Sequence, residues 1–282
     1  MGTGSIITVL LLVVALVLVV WFAHRLHRQV RNEQLLRAEA EESKQQIIIE
    51  QARNRQLKQE MTSNIAHELK TPVSSIRGYL EILLGDKPVD EDQRHYFLER
   101  CYSQTLRLSD LINDVSLINK LEESHELFSR EPVNVYSLAK EAAVELAHSA
   151  EQHHITILNE LPTDIVVNGN SMLIYSIFRN LIENAIVHAG DGVTVGIRCY
   201  QPDDETHYYI HLYDTGRGVD NEYLPRLFDR FLRIDEGRSR KSGGTGLGLS
   251  IVKHAVLFHD GDIYVKNRDG GGLEFFFSLK KT

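Results

Sequence analysis

Two stretches of heptad-spaced apolar residues, joined by a short polar turn, constrain this chain more than any other feature. Leu69, Ile76 and Leu83 stand seven apart, with Ile65, Pro72 and Leu80 near the complementary positions. After GDKPVDED at residues 85–92, the positions Phe97, Cys101, Gln104, Leu108, Leu111, Val115 and Ile118 recur by fours and threes. A 3.5-residue period belongs to helices packed along a seam. Gly, Pro and Asp in the connection supply turn and helix-start chemistry. The expected unit is an antiparallel helical hairpin. One hairpin cannot cover its own seam, whereas two can, so a homodimeric four-helix bundle is expected.

This register fixes the place of one histidine. With Leu69 on the seam, His67 falls on the outermost helix position, beside Glu68 and one turn before Thr71. Pro72 lacks the N–H that would bond back to the Glu68 carbonyl. The helix is therefore expected to bend there, presenting an exposed imidazole next to a carboxylate at a kink.

Upstream, residues 6–23 read IITVLLLVVALVLVVWFA, 18 positions without a charge. A bilayer core of about 30 Å takes about 20 such residues as helix. Trp21 suits the headgroup layer, and Arg25, Arg28 and Arg31 follow. The basic flank places the remainder in the cytoplasm, with residues 1–5 outside and no extracytoplasmic sensor domain expected. A cleaved signal peptide fits less well, lacking a basic leader and a small-x-small site before Arg25. Residues 24–60 contain no Gly or Pro and read as a long helix, either a solvated spacer or a coiled coil.

From Glu131-Pro132 onward the pattern is mixed. Helices are expected at 137–151, 171–189 and 247–258. Strands are expected at 156–158, 165–167, 193–200, 208–213, 262–266 and 273–279. Paired strands with segregated helices make an α+β sandwich. A formal charge of −8 disfavours nucleic acid as a direct partner. Two distant cysteines, Cys101 and Cys199, exclude a disulfide framework and a cysteine-based zinc site.

The string SNIAHELKTPVSSIRGYLEIL, around His67, resembles the H box of sensor histidine kinases of the two-component type. NLIENAIVHA resembles their N box, DTGRGV the first glycine box, LFDRFLR the F box, and GGTGLGLSIVKHAV the second glycine box. They stand in the family's order across residues 61–282. The resemblance implies a membrane-bound kinase of α+β class. Its parts would be a short extracytoplasmic end (1–5), a transmembrane helix (6–23), a helical linker (24–60), a dimerisation and histidine phosphotransfer domain (61–124) and an α/β sandwich ATP-binding domain (125–282). That last domain is of the kind shared with Hsp90-, MutL- and gyrase-type ATPases.

The resemblance also implies roles, which the residue chemistry accommodates. His67 would be the phosphoacceptor, with Glu68 fixing its Nδ1–H and acting as general base. Thr71 matches the ExxT signature of response-regulator phosphatases. Asn184 offers a hard oxygen to Mg²⁺ and is the expected metal ligand, assisted by Asn180 one turn earlier and by Glu183 through water. Asp214 would accept from the adenine amino group, while Gly216 and Gly218 let the backbone approach the base. Gly244, Thr245, Gly246, Leu247 and Gly248 open a helix whose free N–H groups suit the phosphates of ATP. Phe228 and Phe231 would anchor the adjoining segment, and Arg233 would reach the phosphates.

Departures from the family are Val187 and His188, where Lys or Arg followed by an aromatic is usual, and Leu232 in place of Tyr. Val187 cannot contact a phosphate, and His188 would stack, bond or merely pack. The implied partners are a response-regulator receiver domain, a second copy of the chain and the inner (plasma) membrane, crossed once. Two rival readings are an ATPase that does not label itself and a kinase-like scaffold without activity.

Overall fold

The computed structural model of the protein describes residues 3–123, 128–200, 205–234 and 245–281. The side chains of residues 3–15, 17, 23, 29, 30, 32–40, 42, 43, 54, 57, 122 and 123 lie outside that description. The chain forms two compact units, Met1–Ser63 and Asn64–Thr282.

The first unit is the leading part of helix α1 (Thr3–Leu84). Over residues 24–60 helix is favoured because Gly and Pro are absent and Glu, Gln, Arg and Ala abound. The Arg25 guanidinium lies over the Trp21 ring at 5.3 Å, and Gln56 donates to Glu60 one turn on at 2.9 Å. Among the described residues no helix is long and apolar enough to cross a membrane. Most side chains of the 6–23 stretch lie outside the described residues.

The second unit begins with the hairpin. The last turns of α1 run through a buried Pro72. Helix α2 (Glu91–Glu123) starts at Asp90, whose carboxylate accepts from the Gln93 N–H at 2.7 Å, with Glu91 and Asp92 in the first turn. Tyr79 stacks on Phe97 at 5.7 Å, and the Cys101 thiol points to the Ile76 carbonyl at 3.8 Å. Both expected seams therefore meet. On α2, Leu111, Ile118 and Leu121 are buried. Val73, Leu80, Ile82, Leu98, Tyr102, Leu106 and Ile112 remain between 40% and 68% exposed. A groove of about 460 Å³ beside them is lined by Ile65, Leu69, Leu111, Ile112 and Val115. So much apolar surface is more than an isolated hairpin usually leaves to water.

The sandwich follows. Strand β1 (Glu131–Asn134) pairs antiparallel with β3 (Val166–Gly169). A second sheet has the order β2–β4–β5–β7–β6, built from β2 (Thr156–Glu160), β4 (Thr194–Tyr200), β5 (His207–Asp214), β6 (Ile263–Asn267) and β7 (Leu273–Lys280). The β2–β4 pair is parallel and the others antiparallel. Helices α3 (Val135–Glu145), α5 (Ser171–His188) and α6 (Gly248–Phe258) supply the other layer. Their seams, Leu173, Ile174, Ile177, Phe178, Leu181 and Ile182 on α5 and Ile251, Val252, Ala255 and Val256 on α6, are nearly solvent-free. Across from them stand Ile197, Ile210, Leu212, Phe275 and Phe277. Asn134 and Asn170 cap α3 and α5 through the N–H groups of Ser137 and Leu173, at 2.8 and 3.1 Å.

Two elements differ from the sequence reading. The Glu131-Pro132 break opens a strand, because Val133 is buried opposite Val167. The single helix expected at 137–151 is two, α3 and α4 (Ala147–Gln152), separated at Leu146. The α+β class and the hairpin stand as expected.

Candidate active site

Three segments build the sandwich side of the candidate site. The first is the exposed half of α5. Asn180 donates to the Ser176 carbonyl at 2.8 Å, which turns its oxygen outward against α6. A Cβ at Gly248 would lie 2.6 Å from that oxygen, so the start of α6 can come this close because residue 248 is glycine. Asn184, one turn on, is half-buried, and its amide makes no hydrogen bond among the described residues. It is a hard oxygen donor with its capacity unspent, which fits Mg²⁺ carrying water and phosphate as its other ligands. Glu183 is held by Arg179 at 3.1 Å. No cluster of three His, Cys, Asp or Glu side chains suited to a metal exists among the described residues. His188 ends α5 and is exposed, and Val187 is half-buried.

The second segment follows β5. Asp214 is 4% exposed. Its two oxygens accept from the N–H groups of Gly216 at 2.8 Å and Leu273 at 3.2 Å. Burial raises its carboxyl, and those two N–H groups offset only part of the rise. Each oxygen keeps a lone pair for a further donor such as an adenine amino group. Gly216 lies where a Cβ would meet the Ala189 carbonyl at 2.4 Å, and Gly218 adopts φ +69°. Asn267 braces this loop by accepting from Val219 N–H at 3.0 Å and donating to the Val219 carbonyl at 2.7 Å.

The third segment leads into α6. Gly246, at φ +72°, accepts from the Phe231 N–H at 2.8 Å, and Leu247 is buried. The Thr245 hydroxyl accepts from the Leu247 N–H at 3.2 Å. Phe228 and Leu232 pack against the core, which accommodates leucine there. Gly244 lies outside the described residues.

On the hairpin, His67 is exposed, as its register requires, and its ring makes no hydrogen bond among the described residues. The Thr71 hydroxyl points back to the His67 carbonyl at 3.4 Å. Glu68 is placed otherwise than expected. It meets Arg233 at 3.3 Å and Arg107 at 3.4 Å. Arg233, expected at a phosphate, thus lies against the hairpin. A second tie joins Thr245 to Asp114 of α2 at 2.9 Å. Burial raises the Asp114 carboxyl to about 6. This follows from α2 packing on α6.

Sequence reasoning missed Arg107, Asp114, Asn267 and Gly272. Gly272 has φ +99°, and a Cβ there would stand 2.0 Å from the Asp214 carbonyl oxygen. The triple glycine at 270–272 was a visible signal. Arg107 and Asp114 carried none, since each reads as a solvated charge between seam positions.

Comparison with known proteins bears on this arrangement. Residues 57–124 match the His Kinase A (phospho-acceptor) domain. Residues 169–282 match the histidine kinase-, DNA gyrase B-, and HSP90-like ATPase family. The sensor-like histidine kinase SenX3 of Mycolicibacterium smegmatis is 33% identical over 82% of this chain and 59% of its own length. The phosphate regulon sensor protein PhoR of Pseudomonas aeruginosa is 36% identical over 78% of this chain and 49% of its own. The chain spans about half the length of these curated relatives. Among solved structures, the histidine kinase AdeS of Acinetobacter baumannii shares the fold, with a TM-score of 0.61, 22% identity and coverage of 77% of this chain and 98% of that one. The histidine kinase ThkA, solved in complex with the response regulator TrrA, does so with a TM-score of 0.61 and 24% identity, over 79% of this chain and 61% of that one.

Proposed function

The chain belongs to the sensor histidine kinases, and from that premise we propose that it phosphorylates His67 from Mg-ATP and passes the phosphoryl group to an aspartate of a response regulator. The observation that carries the reading is an exposed, unbonded imidazole at His67 in the same unit as a buried Asp214 and an uncommitted Asn184.

Asp214 would hold the adenine through its amino group. The first-turn N–H groups of α6 would bind phosphate oxygens. Asn184 would hold Mg²⁺, which when bound offsets charge on the transferring group. His67 Nε2 attacks phosphorus in line, and the bond from phosphorus to the departing ADP oxygen breaks as the P–N bond forms. Glu68 takes the Nδ1 proton and holds the ring's orientation. Arg233 offsets charge on the phosphoryl oxygens.

Further parts of the reading rest on sequence and surface chemistry. Thr71 would orient a water toward the partner's phospho-aspartate, making the protein a phosphatase too. The exposed apolar strip of the hairpin would be covered by a second copy. Residues 6–23 would cross the inner membrane once, with Arg25, Arg28 and Arg31 on the cytoplasmic side. The test is phosphotransfer. The full chain in detergent should take up an acid-labile, base-stable label from γ-labelled ATP and pass that phosphoryl group to at least one receiver domain of a panel, where, as an acyl phosphate, it becomes base-labile. Label that never leaves the protein, or ATP hydrolysis with no label retained, would defeat the proposal.

A further inference from the structure

Three charged side chains converge beside the phosphoacceptor position. Arg233 Nη1 lies 3.3 Å from Glu68 Oε1 and 3.4 Å from Oε2. Arg107 Nη2 lies 3.4 Å from Oε2 alone. The side chains are well shielded, at 17% exposure for Arg107, 20% for Glu68 and 15% for Arg233. Ion pairs this sheltered differ from surface pairs, because a group left without its partner stays poorly solvated.

The division of contacts between the two carboxylate oxygens is the informative point. Oε1 has Arg233 as its partner, while Oε2 is shared. Should Arg233 move to a phosphate, Oε1 empties and Oε2 remains with Arg107. The carboxylate would then stay paired and oriented, with one oxygen open to the neighbouring imidazole. Without Arg107, the same move would strand a half-buried carboxylate, and Glu68 would retain Arg233 instead.

We infer that Arg107 is a positioning residue for phosphorylation: it holds Glu68 by one oxygen so that Arg233 can leave for the nucleotide and the other oxygen can receive the Nδ1 proton of His67. The inference rests on the reading of His67 as phosphoacceptor. The step balances: the P–N bond forms at Nε2, the P–O bond to ADP breaks with its electron pair leaving on ADP, and the Nδ1 proton passes to Oε1. Burial pulls the Arg107 guanidinium's pKa down even with Glu68 beside it, consistent with a shielded position.

The experiment is a double-mutant cycle on the full chain, read as the initial rate of His67 labelling at saturating Mg-ATP and, separately, as nucleotide affinity. Arg107→Ala should lower the labelling rate tenfold or more while affinity stays within twofold. Arg107→Lys should recover part of the rate. In a Glu68→Gln background, Arg107→Ala should cost less than a further twofold, because the group it positions is gone. If thermal melting shows the alanine variant unfolded, Arg107→Gln takes its place in the same cycle. Wild-type labelling by Arg107→Ala, or an equal tenfold loss in both backgrounds, would overturn the inference while leaving the kinase reading intact. Absence of label on wild-type His67 would overturn both.

Discussion

Replacing Asp114 with Asn should stabilise the protein in a pH-dependent way. Asp114 is half-buried on α2 against α6, and it accepts from the Thr245 hydroxyl at 2.9 Å. Burial raises its carboxyl from 3.8 to about 6, with the Thr245 bond and Arg179 opposing and Asp110 adding to the rise. The sign follows from linkage. A carboxyl raised in the folded state binds protons more readily there than when unfolded, so its charged form destabilises the fold at high pH and the penalty fades as pH falls. Moving between those two values corresponds to about 3 kcal/mol at pH 8 and about 1 kcal/mol at pH 4.5. Asparagine keeps an acceptor for Thr245 without the charge. For a unit of this size, each kcal/mol shifts the melting temperature by about 2–4 °C. Thermal unfolding of Asp114→Asn against wild type should therefore show a gain of several degrees at pH 8 that shrinks to about a third at pH 4.5. An equal gain at both values, or a loss at pH 8, would refute the argument that burial of this carboxylate sets the balance.

Other expectations follow from single contacts. Gly272→Ala should destabilise by more than about 3 kcal/mol in chemical denaturation, since a Cβ there meets the Asp214 carbonyl oxygen at 2.0 Å at φ +99°. Asn184→Ala should leave stability within about 0.5 kcal/mol, because its amide has no partner to lose among the described residues. The same variant should weaken Mg-dependent ATP binding tenfold or more by titration. Thr71→Ala should slow dephosphorylation of a phosphorylated receiver domain while His67 labelling stays within a factor of a few; an unchanged dephosphorylation rate would remove Thr71 from that role.

Much of this architecture could be read from residue spacing, because spacing is what packing enforces. The 3.5-residue seams located both hairpin helices, and the strand positions were legible along the chain, but their sorting into a two-stranded and a five-stranded sheet was not. Glycine positions were legible for the same reason: Gly216 and Gly248 stand where another atom occupies the space of a Cβ. Contacts between the hairpin and the sandwich were not legible. Arg107, Asp114 and the actual partner of Arg233 are set by how α2 lies on α6, which no local pattern encodes. The break at Leu146 was likewise hidden, since residues 137–151 keep helical propensity throughout.

The most direct test of the account is labelling of His67→Gln by γ-labelled ATP, beside wild type and with nucleotide affinity measured on both. An acid-labile label on wild type and none on the variant, at equal affinity, is the predicted result. Equal labelling of the two proteins would contradict it.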